Sequence, residues 1–311
     1  MAGLVLGAAP ASRAADILVG TDQADSIYYL MGRALCSLVN RAAKENGQTC
    51  EALPTTGAVF NLTNLHGGAI EAGVVPSDFQ YHGFNHSGPF SFVDVAYDDL
   101  RALFSMQAEP FTLVARRDSG IRGLDDLEGS RVNIGNPGSR QRELMDMVMA
   151  AKGWTTDDFE LANELPADQQ SLALCHGQVE AVVYMAAHPD PAVAQVIELC
   201  DAAIIAVAGP DIDALVEANP FLAFAVIPGG LYADSPDPVE TFGIRMSLVS
   251  STGVDAEVAY LLVKTVFENL PRFRRMHPTL GGLDEEEMME EGLTAPLHEG
   301  AERYYRERGL M

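Results

Sequence analysis

The 311-residue chain is 48% apolar and carries a formal net charge of -24. That length accommodates two lobes of roughly 100 to 150 residues, each with its own core. A chain this acidic repels phosphate backbones and anionic lipid surfaces, and no Lys/Arg cluster reverses the field locally, so nucleic acid is excluded as a partner.

The chain opens on the apolar run Leu4 to Ala9, followed by Ser12-Arg13-Ala14 and Ala15-Asp16, which resembles a signal-peptidase site. Residues 1–15 are read as a signal-peptide remnant, with a flexible tail as the alternative. No later segment supplies the roughly 18 to 20 apolar residues of a membrane-crossing helix, so stable membrane insertion is not expected.

Ile17 to Gly20 predicts a short strand. A helix then carries Ile27, Leu30, Met31, Ala34, Leu35, Leu38, Val39 and Ala42 at helical spacing, with Asp25 or Ser26 as N-cap and Gly47 as terminator. Cys50 to Leu53 reads as a second strand, Thr55-Thr56-Gly57 as a turn, Val59 to Ile70 as a helix ending at Gly73, and Val74-Val75 as a third strand. Leu100 to Met106 and Phe111 to Arg116 read as two extended segments broken at Glu109-Pro110, where the chain is expected to cross to a second lobe. Further strands are predicted at Arg131 to Gly135, Val179 to Met185, Ala202 to Val207 and Leu222 to Ile227. A helix between the first two of these is closed by Gly153.

The return crossing is expected around Ala206 to Pro210. Lobe I would thus comprise 16–110 and 207–311, lobe II would comprise 111–206, and hinges would lie near 107–112 and 205–209. A late helix runs from Val258 to Leu270, and the acidic run Asp284 to Glu291 reads as a solvated helix face. Alternating strands and helices imply two α/β lobes with parallel sheets.

Cys36, Cys50, Cys175 and Cys200 fall as two sequence-local pairs without Cys-x-x-Cys spacing, for which two disulfides are the natural reading. Such bonds persist in an oxidising compartment. Four reduced thiols are the alternative.

Candidate ligand contacts gather where strands hand over to helices, the positions at which open α/β sheets bind ligands. Gly135 to Arg142 follows a strand and opens a helix, so backbone N–H groups and the positive end of the helix dipole would face one point. There Asn136, Gly138, Ser139, Arg140 and Gln141 form an anion site in outline, with Arg140 able to clamp a carboxylate; an ordinary capped turn is the alternative. The other junctions contribute Ser26, Tyr28 and Tyr29, then Thr56 and Gly57, then Ser77, Asp78 and Gln80, with Tyr184 and His188 from the second lobe. Asp78, His82 and His86 would stack at i, i+4, i+8 if helical, but Gly83 and Gly88-Pro89 favour a loop, and no metal or cofactor is expected. The chain lacks a G-x-S-x-G elbow, a Walker loop, a G-x-G-x-x-G fingerprint and an H-E-x-x-H helix, so no enzymatic motif is found.

Tyr28-Tyr29, the PTTGAVFN segment ending at Asn61, GVVPSDFQYH from Gly73, EPFTLVARRDSGI from Glu109 and above all RVNIGNPGS from Arg131 to Ser139 resemble the TAXI family of solute receptors serving TRAP transporters. HPDPAV, IPGGLY, VFENLPRFRRMHP and APLHEGAERYYRERGL extend the likeness over nearly the whole chain, and both cysteine pairs fit the cysteine-bearing branch. The resemblance implies a type II periplasmic-binding-protein fold: two lobes of mostly parallel sheet flanked by helices and joined by hinges. It implies an exported receptor that delivers a small organic anion, such as glutamate or 2-oxoglutarate, to membrane permease subunits. The alternatives are an enzyme on the same scaffold or the binding subunit of a membrane sensor.

The family's Thr-Gly-Gly-Ser turn is here Thr55-Thr56-Gly57-Ala58, its Gln-Ser-Asp is Pro76-Ser77-Asp78, its Gly-His-Pro is Ala187-His188-Pro189, and its Pro-Gly-Ser-Gly ends in Arg140. The added positive charge leads to the expectation of a ligand with an extra carboxylate.

Overall fold

The computed structural model describes residues 17–43, 47–92 and 95–311; the expected signal-peptide remnant lies outside them. In the first lobe, β1 (Ile17–Gly20) pairs in parallel with β2 (Cys50–Leu53) and β3 (Ala72–Pro76). In the second, β5 (Arg131–Asn133) pairs in parallel with β6 (Leu161–Asn163) and β7 (Ala181–Met185). Two long antiparallel strands join them: β4 (Leu100–Arg116) and β10 (Val239–Ser251). β4 also carries β8 (Ala202–Ile205) on its second half, and β10 carries β9 (Ala223–Ile227) on its first.

Helices cover both faces of each sheet. In the first lobe α1 (Ile27–Arg41), α8 (Ala256–Glu268), α10 (Glu285–Glu290) and α11 (Glu299–Arg308) share one core through Met31, Leu35, Leu262, Val266, Met288 and Tyr305. α2 (Ala58–His66) supplies Leu62 and Leu65 to the opposite face. In the second lobe α4 (Arg140–Lys152) and α7 (Pro210–Ala218) pack on one face, and α5 (Ala167–Cys175) and α6 (Pro191–Leu199) on the other. α3 (Ser77–Phe84) follows β3, and α9 (Leu270–Arg274) follows α8. Period-two alternation appears along β4, where Phe111, Leu113 and Ala115 enter one core and Val114 the other.

The break expected at Glu109-Pro110 is absent: β4 runs unbroken for 17 residues. Pro110 lies where pairing with β10 ends, at Gly243, and pairing with β7 begins, at Phe111. A missing N–H disrupts least at such a handover. The helix expected over Val59 to Ile70 stops at His66, with Gly67 as its C-cap.

The return crossing also moves. Val207, Ile212, Val216, Phe221 and Leu222 pack in the second lobe's core beside Phe111 and Val132, and Ile227 and Tyr232 pack on its other face. We therefore draw the return within β10, near Gly243, and assign residues 207–240 to lobe II. β10 itself had no counterpart among the expected strands. At the crossing a Cβ on Gly243 would meet the Glu109 carbonyl oxygen at 2.3 Å, so the two backbones approach too closely for any side chain there.

Both expected cysteine pairings are present. Cys36–Cys50 ties α1 to β2 with Cα atoms 4.8 Å apart, and Cys175–Cys200 ties the ends of α5 and α6 at 4.7 Å. The acidic run is more than a solvated face, because buried Arg245 on β10 pairs with Glu287 at 2.7 Å and with Glu291, while Met288 is in the core.

Candidate functional site

A small cavity of ≈ 180 Å³ lies at the carboxyl ends of β1 and β3, where the lobes meet. Lobe I lines it with Thr21 and Asp22 from the loop after β1, Tyr28 from α1, and Gly57 and Ala58 at the start of α2. The crossing strands add Glu109 and Met246, and lobe II adds Arg140. Ala58 and Arg140 also border an outer groove of ≈ 500 Å³, whose other walls include Thr56, Val59, Phe60 and Phe79.

The start of α2 is fixed by buried hydrogen bonds. Asn61 donates from Nδ2 to the carbonyls of Thr21 (2.7 Å) and Val74 (2.9 Å), and Thr55 Oγ1 donates to Thr21 O at 2.9 Å while accepting from Gly57 N at 3.1 Å. Gly57 is the N-cap at φ 99°, ψ -159°, a conformation open essentially to glycine alone, and no side chain caps this helix. The positive end of α2 therefore faces the space that Arg140 faces.

Arg140 Nε stands 3.2 Å from Asp78 Oδ2, Nη1 stands 3.5 Å from Glu109 Oε2, and the guanidinium lies 5.4 Å from the centre of the Phe79 ring. Tyr28 donates its hydroxyl to Glu109 Oε1. Burial pushes the Glu109 carboxyl above the usual range, Arg140 pulls it back, and the charge of Asp22 adds to the rise. Burial likewise raises Glu143, one turn along α4, with Asp78 adding to the effect and Arg140 opposing it.

Of the residues expected to touch ligand, the structure brings Tyr28, Thr56, Gly57, Asp78 and Arg140 to this cleft. The others are engaged elsewhere. Ser26 caps α1 by accepting from Tyr29 N, and the Tyr29 ring packs on the first core beneath Arg33. Ser77, fully buried, donates to Phe221 O at 2.7 Å and accepts from Arg245 N at 3.1 Å, sealing the seam between lobes. Gln80 Oε1 accepts from Thr294 N and Ala295 N, pinning the C-terminal segment.

On the lobe II side, Ser139 caps its own helix by accepting from Arg142 N and donates to Asn136 O at 2.7 Å. Gly138 is exposed in a left-handed turn (φ 80°), and Gln141 is buried against Gln170 at 2.8 Å. Tyr184 is held by Ser171 at 2.9 Å. His188 is sandwiched between Thr112 Oγ1, 2.8 Å from Nε2, and the Tyr232 hydroxyl at Nδ1; burial lowers its pKa to about 4. The Asp78–His82–His86 stack does not form, since α3 ends at Phe84, Asp78 turns to Arg140, and His82 Nδ1 meets Ser87 Oγ at 2.9 Å. Among the described residues no group of three or more His, Cys, Asp or Glu is placed to hold a metal ion.

Sequence reasoning missed Asp22, Glu109 and Met246. Asp22 does sit just beyond a strand end, the positional rule that singled out its neighbours and the Thr55 to Ala58 turn. Glu109 and Met246 reach the cavity through pairing between β4 and β10, which no local signal announces.

Residues 19–309 match the model of the NMT1-like family. The chain belongs to that family. Solved structures similar to this NMT1-like chain include a TctC solute-binding protein from Polaromonas, with 15% identity, a TM-score of 0.60, and 95% of this chain and 98% of that one covered. The periplasmic aliphatic sulphonate-binding protein SsuA from Escherichia coli matches with 13% identity and a TM-score of 0.50 over 86% and 79% of the two chains. PhnD1 from Prochlorococcus marinus, in complex with methylphosphonate, matches with 8% identity and a TM-score of 0.52 over 95% and 99%. These likenesses show the two-lobed fold of periplasmic binding proteins. Among the described residues no helix is long and apolar enough to cross a membrane.

Proposed function

We propose that the chain is an exported receptor that closes its lobes around a small carboxylate-bearing solute and presents it to a TRAP-type permease. One observation carries the reading: the uncapped, positive end of α2 on lobe I and the Arg140 guanidinium on lobe II face the same interlobe cavity. A carboxylate between them would accept from backbone N–H groups on one side and a charged fork on the other. The two disulfides support an oxidising, extracytoplasmic setting, and the TAXI resemblance supports the permease class.

The extra carboxylate expected from the presence of Arg140 loses its basis, because Asp78 and Glu109 already answer that charge. Closure would bend the paired strands β4 and β10 near Glu109 and Gly243, the two crossings between lobes. A thermal-shift screen of monocarboxylates, dicarboxylates, amino acids and sulfonates, followed by calorimetry on the best hit, tests the proposal. Arg140→Ala should weaken that hit at least tenfold; unchanged affinity removes Arg140 from the site, and no shift with any carboxylate overturns carboxylate capture.

A further inference from the structure

Four carboxylates surround the one guanidinium at this site. Asp22 and Glu109 line the cavity with Arg140, Asp78 pairs with it, and Glu143 feels both Asp78 and Arg140. A ligand bringing only negative charge would sit among four carboxyl groups and one guanidinium, where burial already pushes Glu109 and Glu143 toward their neutral forms, so further negative charge costs free energy in a poorly solvated cleft. The α2 end and Arg140 favour a carboxylate. Beside them Glu109, which accepts from Tyr28 and lies 3.5 Å from Arg140, and Asp22, whose Oδ1 is engaged by Gln23 N at 2.8 Å next to Gly57, hold acceptor capacity toward a cation.

Size points further. The inner cavity of ≈ 180 Å³ falls short of the few hundred Å³ typical of ligand sites, and it adjoins the ≈ 500 Å³ outer groove through Ala58 and Arg140. That groove has Val59 (53% exposed) and Phe60 (42% exposed) on its wall, apolar side chains left in water at the mouth of a charged cavity.

Resting on the carboxylate-capture reading, we infer that the solute is a zwitterion with an apolar substituent. Its carboxylate meets α2 and Arg140, its protonated amine meets Glu109 and Asp22, and its apolar part lies along Val59 and Phe60. This replaces a purely anionic solute such as 2-oxoglutarate with a molecule whose charges mirror those of the site.

Calorimetry on the full chain with four probes tests it: L-phenylalanine, 3-phenylpropionate, glycine and glutarate. L-phenylalanine should bind at least tenfold tighter than each of the other three. Equal or tighter binding of 3-phenylpropionate or glutarate overturns the amine subsite while carboxylate capture stands. Equal binding of glycine overturns the apolar subsite, and no binding by any probe overturns the inference together with the reading beneath it. Asp22→Asn, at a half-exposed loop position, should shrink the gap between L-phenylalanine and 3-phenylpropionate by at least threefold. Glu109→Gln should do the same, with folding checked by circular dichroism; a gap unchanged in both folded variants removes these carboxylates from amine recognition.

Discussion

Two of the helices that begin at the interlobe cleft, α2 and α4, spend their N-termini differently. α4 closes its own first turn: Ser139 caps it, Gln141 turns inward to Gln170, and Arg142 pairs with Asp146 at 2.7 Å and with Glu164 at 2.5 Å. Arg140 leaves that turn for the cleft. α2 has no side-chain cap, and Thr55 and Asn61 fix the turn before it from below, so its free N–H groups remain for something outside the chain. A glycine-rich turn entering a helix is thus a weak predictor of an anion site. Whether a cap residue has already satisfied the turn decides the matter, and a serine at that position acts against the ligand reading it at first invites.

Lobe II's polar residues serve its own interior in the same way, and His188 offers the largest test of that contrast. Its folded-state pKa is depressed from 6.5 to about 4 by burial, so the stability reflected in its neutral form is present above about pH 6.5 and is lost as pH falls toward 4. The loss across that window is about 3 kcal/mol at most, since each tenfold change in proton affinity corresponds to about 1.4 kcal/mol. Glu109 has the opposite sign: its pKa is raised, so its contribution is present below the ordinary carboxylate range and fades as pH rises through the folded value. Urea unfolding of wild type and His188→Gln from pH 7.5 to 4 isolates the histidine. The two curves should converge on acidification, and a constant offset would show that His188 is not the sequestered group described.

Next in size is Gly57→Ala. The nearest neighbour of an added Cβ is Asp22 Oδ1 at 3.7 Å, so space is sufficient and the penalty is backbone strain, of order 1 to 3 kcal/mol. Lower thermal stability and weaker solute binding are both expected, as the α2 turn twists away from the cavity. Smallest is Ser139→Ala, which should cost about 1 kcal/mol of stability through the lost cap and leave affinity within twofold. If the order of the two affinity losses were reversed, the contrast between α2 and α4 would be inverted, and the α4 turn would be the anion site after all.

How much was legible follows the range of each interaction. The β1 to β3 block, its helices and the cysteine pairs lie within short stretches, and apolar periodicity or spacing exposes them. Arg140 stood out because it adds a charge at a strand-to-helix junction. The carboxylates that answer it do not stand out: Glu109 precedes a proline and read as a strand break, and Asp78 read as a ligand contact in its own right. β10 passed unnoticed because a strand paired on both edges and buried throughout its second half shows no alternation. The fold-back of residues 207–240 onto lobe II was hidden for the same reason, since only tertiary packing says which lobe a strand joins.

The placement of the two disulfides has a mechanical consequence. Cys36–Cys50 lies wholly within lobe I and Cys175–Cys200 wholly within lobe II, so neither bridges the two halves. Covalent stiffness is thereby spent inside the halves, while the two-stranded ribbon between them is held by non-covalent contacts, hydrogen bonds and the stacked rings of Phe111 and Phe242 among them. The molecule is built like a pair of riveted plates on a leaf spring: the rivets keep each plate's half of the site in shape, and any swing of the plates is left to the spring and to the non-covalent contacts across the seam.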